Sequence, residues 1–445
     1  MRLVPLNLFD EGFVDIDTPR EPWSIQLEVR ASGALDPARL ADALRAAAAT
    51  HPMARARLRE PRLGEWRRTW EIHDRLDGVP LAVVDAASPD ALARARSAAF
   101  SACPPLDAPP PFAATLARHP EGDYLLLNVH HAAADGVGTL RFMTSVIRRY
   151  AGKADPVPRI DPLAVRDLAA LAGSASLEER VRRGSALLEV LATAAVPPAR
   201  IAGEGGDARA RGYGFVTVGL APEETARVAG RKGPGTVNDV LLAALARTIA
   251  LWNDARGAPW ARVSIMVPVN IRPEGWWHEV IANFASYVSV SVPAAALGAF
   301  ARSRSAVTAQ MLKYKQAGAA GLLVDLLALR QLVPPLMRRQ MAALLPLAAG
   351  RVADTTMLSN LGRLPVLPRF GLREGPVREV WFSPPAPMPL GLSVGAATAG
   401  ERLFLTLRHR YALLDARAAE SFARLFRAVL LGRPAVGRPR EEKPR

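Results

Sequence analysis

Between Leu125 and His130 the side chains fall into two alternating sets. Leu125, Leu127 and Val129 point one way and Leu126, Asn128 and His130 the other, a period of two that predicts a strand. After Gly136 the period changes. Leu140, Met143, Ile147 and Tyr150 are spaced by three, four and three residues, which predicts a helix. The same strand-then-helix order recurs elsewhere. A strand around Trp23–Val29 precedes a helix with Asp36 at its N-cap, Pro37 at its first position and Leu40, Leu44 and Ala47 on one face. His51-Pro52 ends that helix, because the residue before a proline is pushed out of the α region. A Pro-rich stretch, Pro104 to Pro111, separates this pair from the next.

Farther along, a strand at Phe215–Leu220 leads to a helix from Pro222, and Thr236-Val237-Asn238-Asp239 caps an apolar helix over Val240–Trp252. Strands are expected at Val263–Val269 and Tyr287–Val292, and a hairpin from Leu392–Ala396 and Leu403–His409. Asp415 caps a closing helix whose face is Phe422, Leu425, Phe426 and Val429. Between the halves, Leu163–Leu171 and Leu177–Ala195 carry helical patterns and run into a Gly-rich loop, Gly203 to Gly212. These segments read as a crossover, giving an N-terminal lobe over residues 1–170, a linker over 171–212 and a C-terminal lobe over 213–445. A chain of 445 residues suits two cores rather than one. The segment Ala306–Ala349 reads as a long, apolar, mostly helical arm: either core packing between the lobes, or a surface that grips a lipid-like chain or touches a membrane peripherally through Arg338 and Arg339.

Composition narrows the function classes. Half of the residues are hydrophobic and 22% are charged, as in a globular protein. The net charge of +15 comes from arginines scattered singly, and aromatics are only 6%, so the patch-plus-stacking signature of nucleic-acid binding is missing and no nucleic-acid partner is expected. A basic surface also suits acidic carrier proteins, CoA phosphates or anionic lipid headgroups. The single cysteine, Cys103, rules out an internal disulfide and a Cys-rich metal site. Met1 to Asp10 has no signal-peptide core, and the most apolar stretch, Gly318 to Leu336, is interrupted by Asp325, Arg330 and Pro334. The expectation is a soluble, cytoplasmic protein.

The candidate chemistry sits where the 125–130 strand meets its helix: His130-His131-Ala132-Ala133-Ala134-Asp135-Gly136. Small residues and a glycine there let a ligand approach the backbone. A histidine titrates near neutrality and suits proton transfer. Adjacent strand side chains diverge, so one histidine can face a reaction while the other holds the local structure. That divergence also argues against a metal held by His130, His131 and Asp135, and no metal is expected. The remaining histidines are scattered, and a Gly-x-Ser-x-Gly elbow is absent. His130 and Asp135 also fit the short His-x-x-x-x-Asp pattern of glycerolipid acyltransferases, a weakly specific match.

The seven-residue motif resembles the active-site motif of the CoA-dependent acyltransferase superfamily, which includes condensation domains, polyketide-associated acyltransferases and wax ester synthase/diacylglycerol acyltransferases. Other segments are similar in order: Gly33-Ala34-Leu35-Asp36 through His51-Pro52-Met53-Ala54-Arg55-Ala56-Arg57, then Thr236 to Ala244, Val267-Pro268-Val269-Asn270-Ile271-Arg272-Pro273 with Asn283-Phe284, and Leu358-Ser359-Asn360-Leu361-Gly362. The resemblance implies an α+β fold of two chloramphenicol acetyltransferase-like lobes with a tunnel between them. It implies acyl transfer from a thioester to an alcohol or amine, with acyl-CoA or the phosphopantetheine of an acyl carrier protein as co-substrate and no resident cofactor. It makes His131 the general base. His130, Asp135, Gly136 and Arg272 would shape the site, with Asp135 paired to Arg272, and Asn270, Ser359 and Asn360 would contact substrate. The Asp-Phe-Gly-Trp-Gly segment of plant-type and fungal members is absent, its nearest region being Val380-Trp381-Phe382-Ser383-Pro384. With no adenylation or carrier domain evident, a standalone enzyme is expected. The competing reading is a non-catalytic module of the same fold that binds a carrier protein or a lipid.

Overall fold

The computed structural model describes residues 1–62, 65–184, 196–276, 279–330, 333, 337 and 353–434. The N-terminal half contributes β1 (Arg2–Pro5), β2 (Ser24–Ala31), β3 (Ala56–Arg59), β4 (Thr69–Ile72), β5 (Leu81–Asp85), β6 (Phe112–Arg118) and β7 (Tyr124–His130). The C-terminal half contributes β8 (Tyr213–Gly219), β9 (Arg262–Asn270), β10 (Ala285–Pro293), β11 (Thr356–Arg363), β12 (Val377–Ser383), β13 (Leu392–Ala399) and β14 (Arg402–Arg410). They form a five-stranded sheet in the order β12-β2-β7-β6-β5, a six-stranded sheet in the order β10-β9-β11-β13-β14-β8, and a small sheet β1-β4-β3.

Each large sheet lays one face on a set of helices. In the first, the antiparallel register pairs Leu27 with Leu127 and Ile25 with Val129, so these residues enter one core with Leu40, Leu44 and Ala47 of the Pro37–Thr50 helix and Met143 and Ile147 of the Gly136–Tyr150 helix. In the second, Val263, Ile265 and Val267 of β9 and Val290 and Val292 of β10 pack with the Val237–Asp254 and Ala416–Leu431 helices. Two sheet-and-helix cores make up the mixed α/β fold, with β12 of the C-terminal half as an edge strand of the first sheet.

Several helices start where the residues dictate. Asp36, Thr236 and Asp415 each accept a bond at the N-cap from the backbone N–H three residues on, to Arg39, Asp239 and Ala418 respectively. Other expectations need correction. Within Leu163–Leu171 only Leu168–Ala172 becomes a helix, because Asp167 caps late, its carboxylate taking the N–H groups of Ala169 and Ala170. The expected helix over Leu177–Ala195 is helical through residue 184, and its remainder lies outside the described residues. The apolar arm resolves into the helices Phe300–Ala317 and Ala320–Arg330, separated at Gly318 in the left-handed conformation (φ 64°). Most of the arm beyond residue 330, with Arg338 and Arg339, lies outside the described residues. Strand β12, which the sequence division places with the second lobe, hydrogen-bonds antiparallel to β2 in the first sheet. No helix of the described residues is long and apolar enough to cross a membrane.

Candidate active site

A cavity of about 410 Å³ lies between the two large sheets. The first half supplies Phe9, Phe13, Trp23, Ile25, His131 and Gly136. The facing wall comes from Met266 and Pro268 of β9, Tyr287 of β10 and Met357 and Ser359 of β11, and Phe382 with Pro384 and Pro385 close one end. Leu323 and Leu327 of the Ala320–Arg330 helix also reach the cavity, so part of the apolar arm is cavity wall. A larger recess of about 900 Å³, rimmed by Arg20, Arg209, Arg211 and Arg410, does not include His131. Size alone is therefore a poor guide to where the chemistry sits.

His131 follows the last residue of β7, and its backbone N–H bonds to the Trp23 carbonyl (2.9 Å), which extends the β2–β7 ladder by one step. The ring stacks on Phe13 with centroids 3.8 Å apart and planes 16° apart. Its Nδ1 lies 3.2 Å from Asn283 Oδ1. The neighbours of Asn283 fix which amide atom is which. Its Nδ2 donates to the carbonyls of His131 (2.6 Å) and Ala132 (2.9 Å) and to Asp10 Oδ1 (3.2 Å), all of them acceptors. Oδ1 must then face the ring, so Nδ1 carries the hydrogen and Nε2 keeps its lone pair. Burial pushes the imidazole down to about 4, against the opposing pull of Asp135 and Asn283, so the ring is neutral at neutral pH.

Behind Asn283, Asp10 is fully buried and ion-paired with Arg166, and it accepts from Trp70 Nε1 (2.9 Å) and the Asn7 N–H (3.1 Å). Burial raises the Asp10 carboxyl, and Arg166 and these donors oppose that rise. The order His131–Asn283–Asp10–Arg166 links four distant parts of the chain through side-chain bonds. Asp10 is the site residue that sequence reasoning missed, whereas Asn283 was named there within a motif segment but given no role. The Asn7-x-x-Asp10 capping box was a visible signal for Asp10, but it points only to the start of the Leu8–Ile16 helix.

Asp135 caps the Gly136–Tyr150 helix through the Gly138 N–H (2.7 Å). Its carboxylate also takes the Phe284 N–H (2.9 Å) and both contacts of Arg272 Nη2 (3.0 and 3.1 Å), and Arg272 donates further to the Ala282 carbonyl (3.1 Å). This ion pair is buried and ties the motif to the segment after β9. At Gly136, a Cβ would stand 3.0 Å from both Leu361 Cδ2 and Phe382 Cε2, so a side chain there would push into the cavity wall. His130 faces away from His131. Its Nδ1 accepts from the Ala132 N–H (3.1 Å), and its Nε2 is 3.6 Å from Asp17. The candidate ligand atoms of His130, Asp17 and Cys103 lie within 4.8 Å of one another, and burial raises the Cys103 thiol.

Of the expected substrate contacts, Ser359 lines the cavity. Asn270 is exposed and its side chain accepts from the Arg272 N–H (3.0 Å), closing a local turn outside the cavity lining. Asn360 likewise folds back on the Gly362 N–H (2.8 Å) and reaches Asn238 (3.4 Å).

The Condensation domain family matches residues 15–340. The chain belongs to the condensation-domain family. Among its relatives is the "Uncharacterized protein Rv2305" of Mycobacterium tuberculosis (strain ATCC 25618 / H37Rv), 38% identical over 431 residues, covering 96% of this chain and 98% of the relative. A counterpart in strain CDC 1551 / Oshkosh matches equally. The fold is that of the first condensation domain of the calcium-dependent antibiotic synthetase, solved in complex with a substrate analogue (TM-score 0.67, 20% identity, 97% of this chain and 96% of that one). In the nonribosomal peptide synthetase FmoA3 the match covers 98% of this chain but 43% of that longer one (TM-score 0.63, 17% identity). Members of the condensation-domain family typically form amide or ester bonds.

Proposed function

We propose that this condensation-family protein moves an acyl group from a thioester, acyl-CoA or an acyl carrier protein, to an alcohol or amine, with His131 Nε2 as general base. The observation that carries the reading is a neutral imidazole on the wall of a cavity between the lobes, its Nδ1 tied to Asn283. As the acceptor O–H or N–H attacks the thioester carbonyl, its proton passes to Nε2. Collapse of the tetrahedral intermediate breaks the C–S bond, and the imidazolium returns the proton to the departing thiolate. Burial makes that imidazolium a strong acid, which favours the second transfer. Asn283 keeps the tautomer, and Arg272 with Asp135 holds the loop on which the ring sits. Positioning of this kind, rather than exposure of a highly basic group, is what the site contributes.

The test is incubation of the purified protein with acyl-CoA and acyl-carrier donors against alcohols and amines, following free thiol and product mass together. Acyl transfer predicts thiol and ester or amide in equal amounts. Donor binding without thiol release across the panel would overturn the reading and leave a binding module.

A further inference from the structure

The Leu8–Ile16 helix turns Phe9, Gly12, Phe13 and Ile16 to the cavity, positions spaced three, one and three residues apart and therefore a single stripe. Three of the four are large and apolar. The fourth, in the helix interior, is glycine, the least favoured residue there after proline. Nothing local requires it. Gly12 is not among the glycines with positive φ, and a Cβ at this position would meet nothing within 4 Å. What the glycine leaves open is cavity space, faced by Leu323 and Leu327 one helical turn apart on the Ala320–Arg330 helix.

The lining is mostly apolar, with the hydroxyl-bearing residues Ser286, Tyr287 and Ser359 as its uncharged polar members beside the His131 ring. Among the described residues the charged one in it is Asp15, beside the neutral His131, and that carboxylate is bonded to Arg68 at 2.6 Å. Ser286 is also committed, its Oγ donating to the Ala320 carbonyl (2.6 Å). An α-ammonium in this space would lose its water without gaining a free carboxylate, a strongly unfavourable exchange. An alkyl chain loses nothing there. Resting on the acyl-transfer reading above, we propose that the cavity takes an uncharged apolar acyl chain rather than an aminoacyl group, and that the gap at Gly12 sets how long a chain fits.

The experiment measures displacement of a dansyl-labelled undecanoic acid by unreactive S-alkyl-CoA thioethers of increasing chain length, in the wild-type protein, Gly12→Ala and Gly12→Leu. Donor turnover is measured in parallel with the matching acyl-CoAs and with alanyl-CoA. Both substitutions replace a helix-interior glycine with better helix formers, so their melting temperatures should not fall. Wild-type affinity is expected to grow with chain length. Gly12→Leu should cut the useful length more than Gly12→Ala, with each methylene shut out weakening binding by about fourfold. Equal length profiles in all three proteins, or tighter use of alanyl than of alkyl donors, would overturn the proposal. If chains bind with the predicted length shift but no donor is turned over, the acyl-transfer reading fails while the chain-binding site stands.

Discussion

Replacing Asn283 with alanine tests how the His131 ring is held. Asn283 is fully buried. Its amide serves four groups: the carbonyls of His131 and Ala132, the Asp10 carboxylate and the ring Nδ1. Nδ2 has two hydrogens for three acceptors, so those three contacts share two donor bonds, while the ring Nδ1–H donates separately to Oδ1. With roughly 1–3 kcal/mol for each buried partner left unpaired, and less for the shared ones, the loss sums to about 4 kcal/mol. At about 2–4 °C per kcal/mol for a lobe of this size, the melting temperature should fall by on the order of 10 °C. The ring would also lose the group that fixes its tautomer, so transfer should drop by roughly tenfold to a hundredfold even well below the new melting point. Asn283→Asp adds a control of nearly the same shape. Its second oxygen would face three acceptors, so it should do no better than alanine. Calorimetry together with turnover of the best donor provides the assay. An alanine variant that melts with the wild type and keeps its rate would refute the argument that Asn283 orients His131.

The ion pair that ties the motif to the second half should matter for stability. Arg272→Met leaves the buried Asp135 carboxylate with two backbone N–H donors and no cation, a cost of about 3–5 kcal/mol, and adding Asp135→Asn should recover part of it in calorimetry. Stability should also depend on acid in a defined window. His131 and His409 are both held at about 4 by burial, below the usual 6.5, so the unfolded chain binds protons that the folded one refuses. Folding stability from these groups is therefore complete above pH 6.5 and is lost as pH falls toward 4, by on the order of 3 kcal/mol for each ring. Urea titrations at pH 7 and pH 5 measure this, and equal midpoints would contradict it.

Local chemistry explains what was legible in the sequence. Asp36 with Pro37, Thr236 with Asp239 and Asp415 announce their helices, because a cap acts on N–H groups three residues away. The alternation at 125–130 and the shift of period after Gly136 placed His131 at a strand end beside a helix start, and the family followed from the motif. The remaining features depend on residues far apart. Asn283 meets His131 across 152 positions, and no spacing rule connects them. Strand β12 gives no sign in Val377–Ser383 of which sheet it joins, since both sheets offer an edge and its burial pattern suits either. Asn270 and Asn360 show how local bonding can occupy a polar side chain. Asparagine beside a turn satisfies nearby N–H groups first, and both side chains do so here. The open space beside Gly12 is likewise set by the packing of distant segments and has no local sequence signal.

The most direct test of the account is the rate of acyl transfer for the wild-type protein and His131→Ala across pH 4 to 9, with donor affinity measured alongside. A neutral, buried base held at about 4 predicts a wild-type rate that is level between pH 6 and 8 and falls only in more acidic solution. It predicts a His131→Ala rate lower by at least about a hundredfold with donor binding retained. A variant that keeps near-wild-type turnover, or a wild-type acid limb centred at the ordinary histidine value, would contradict it.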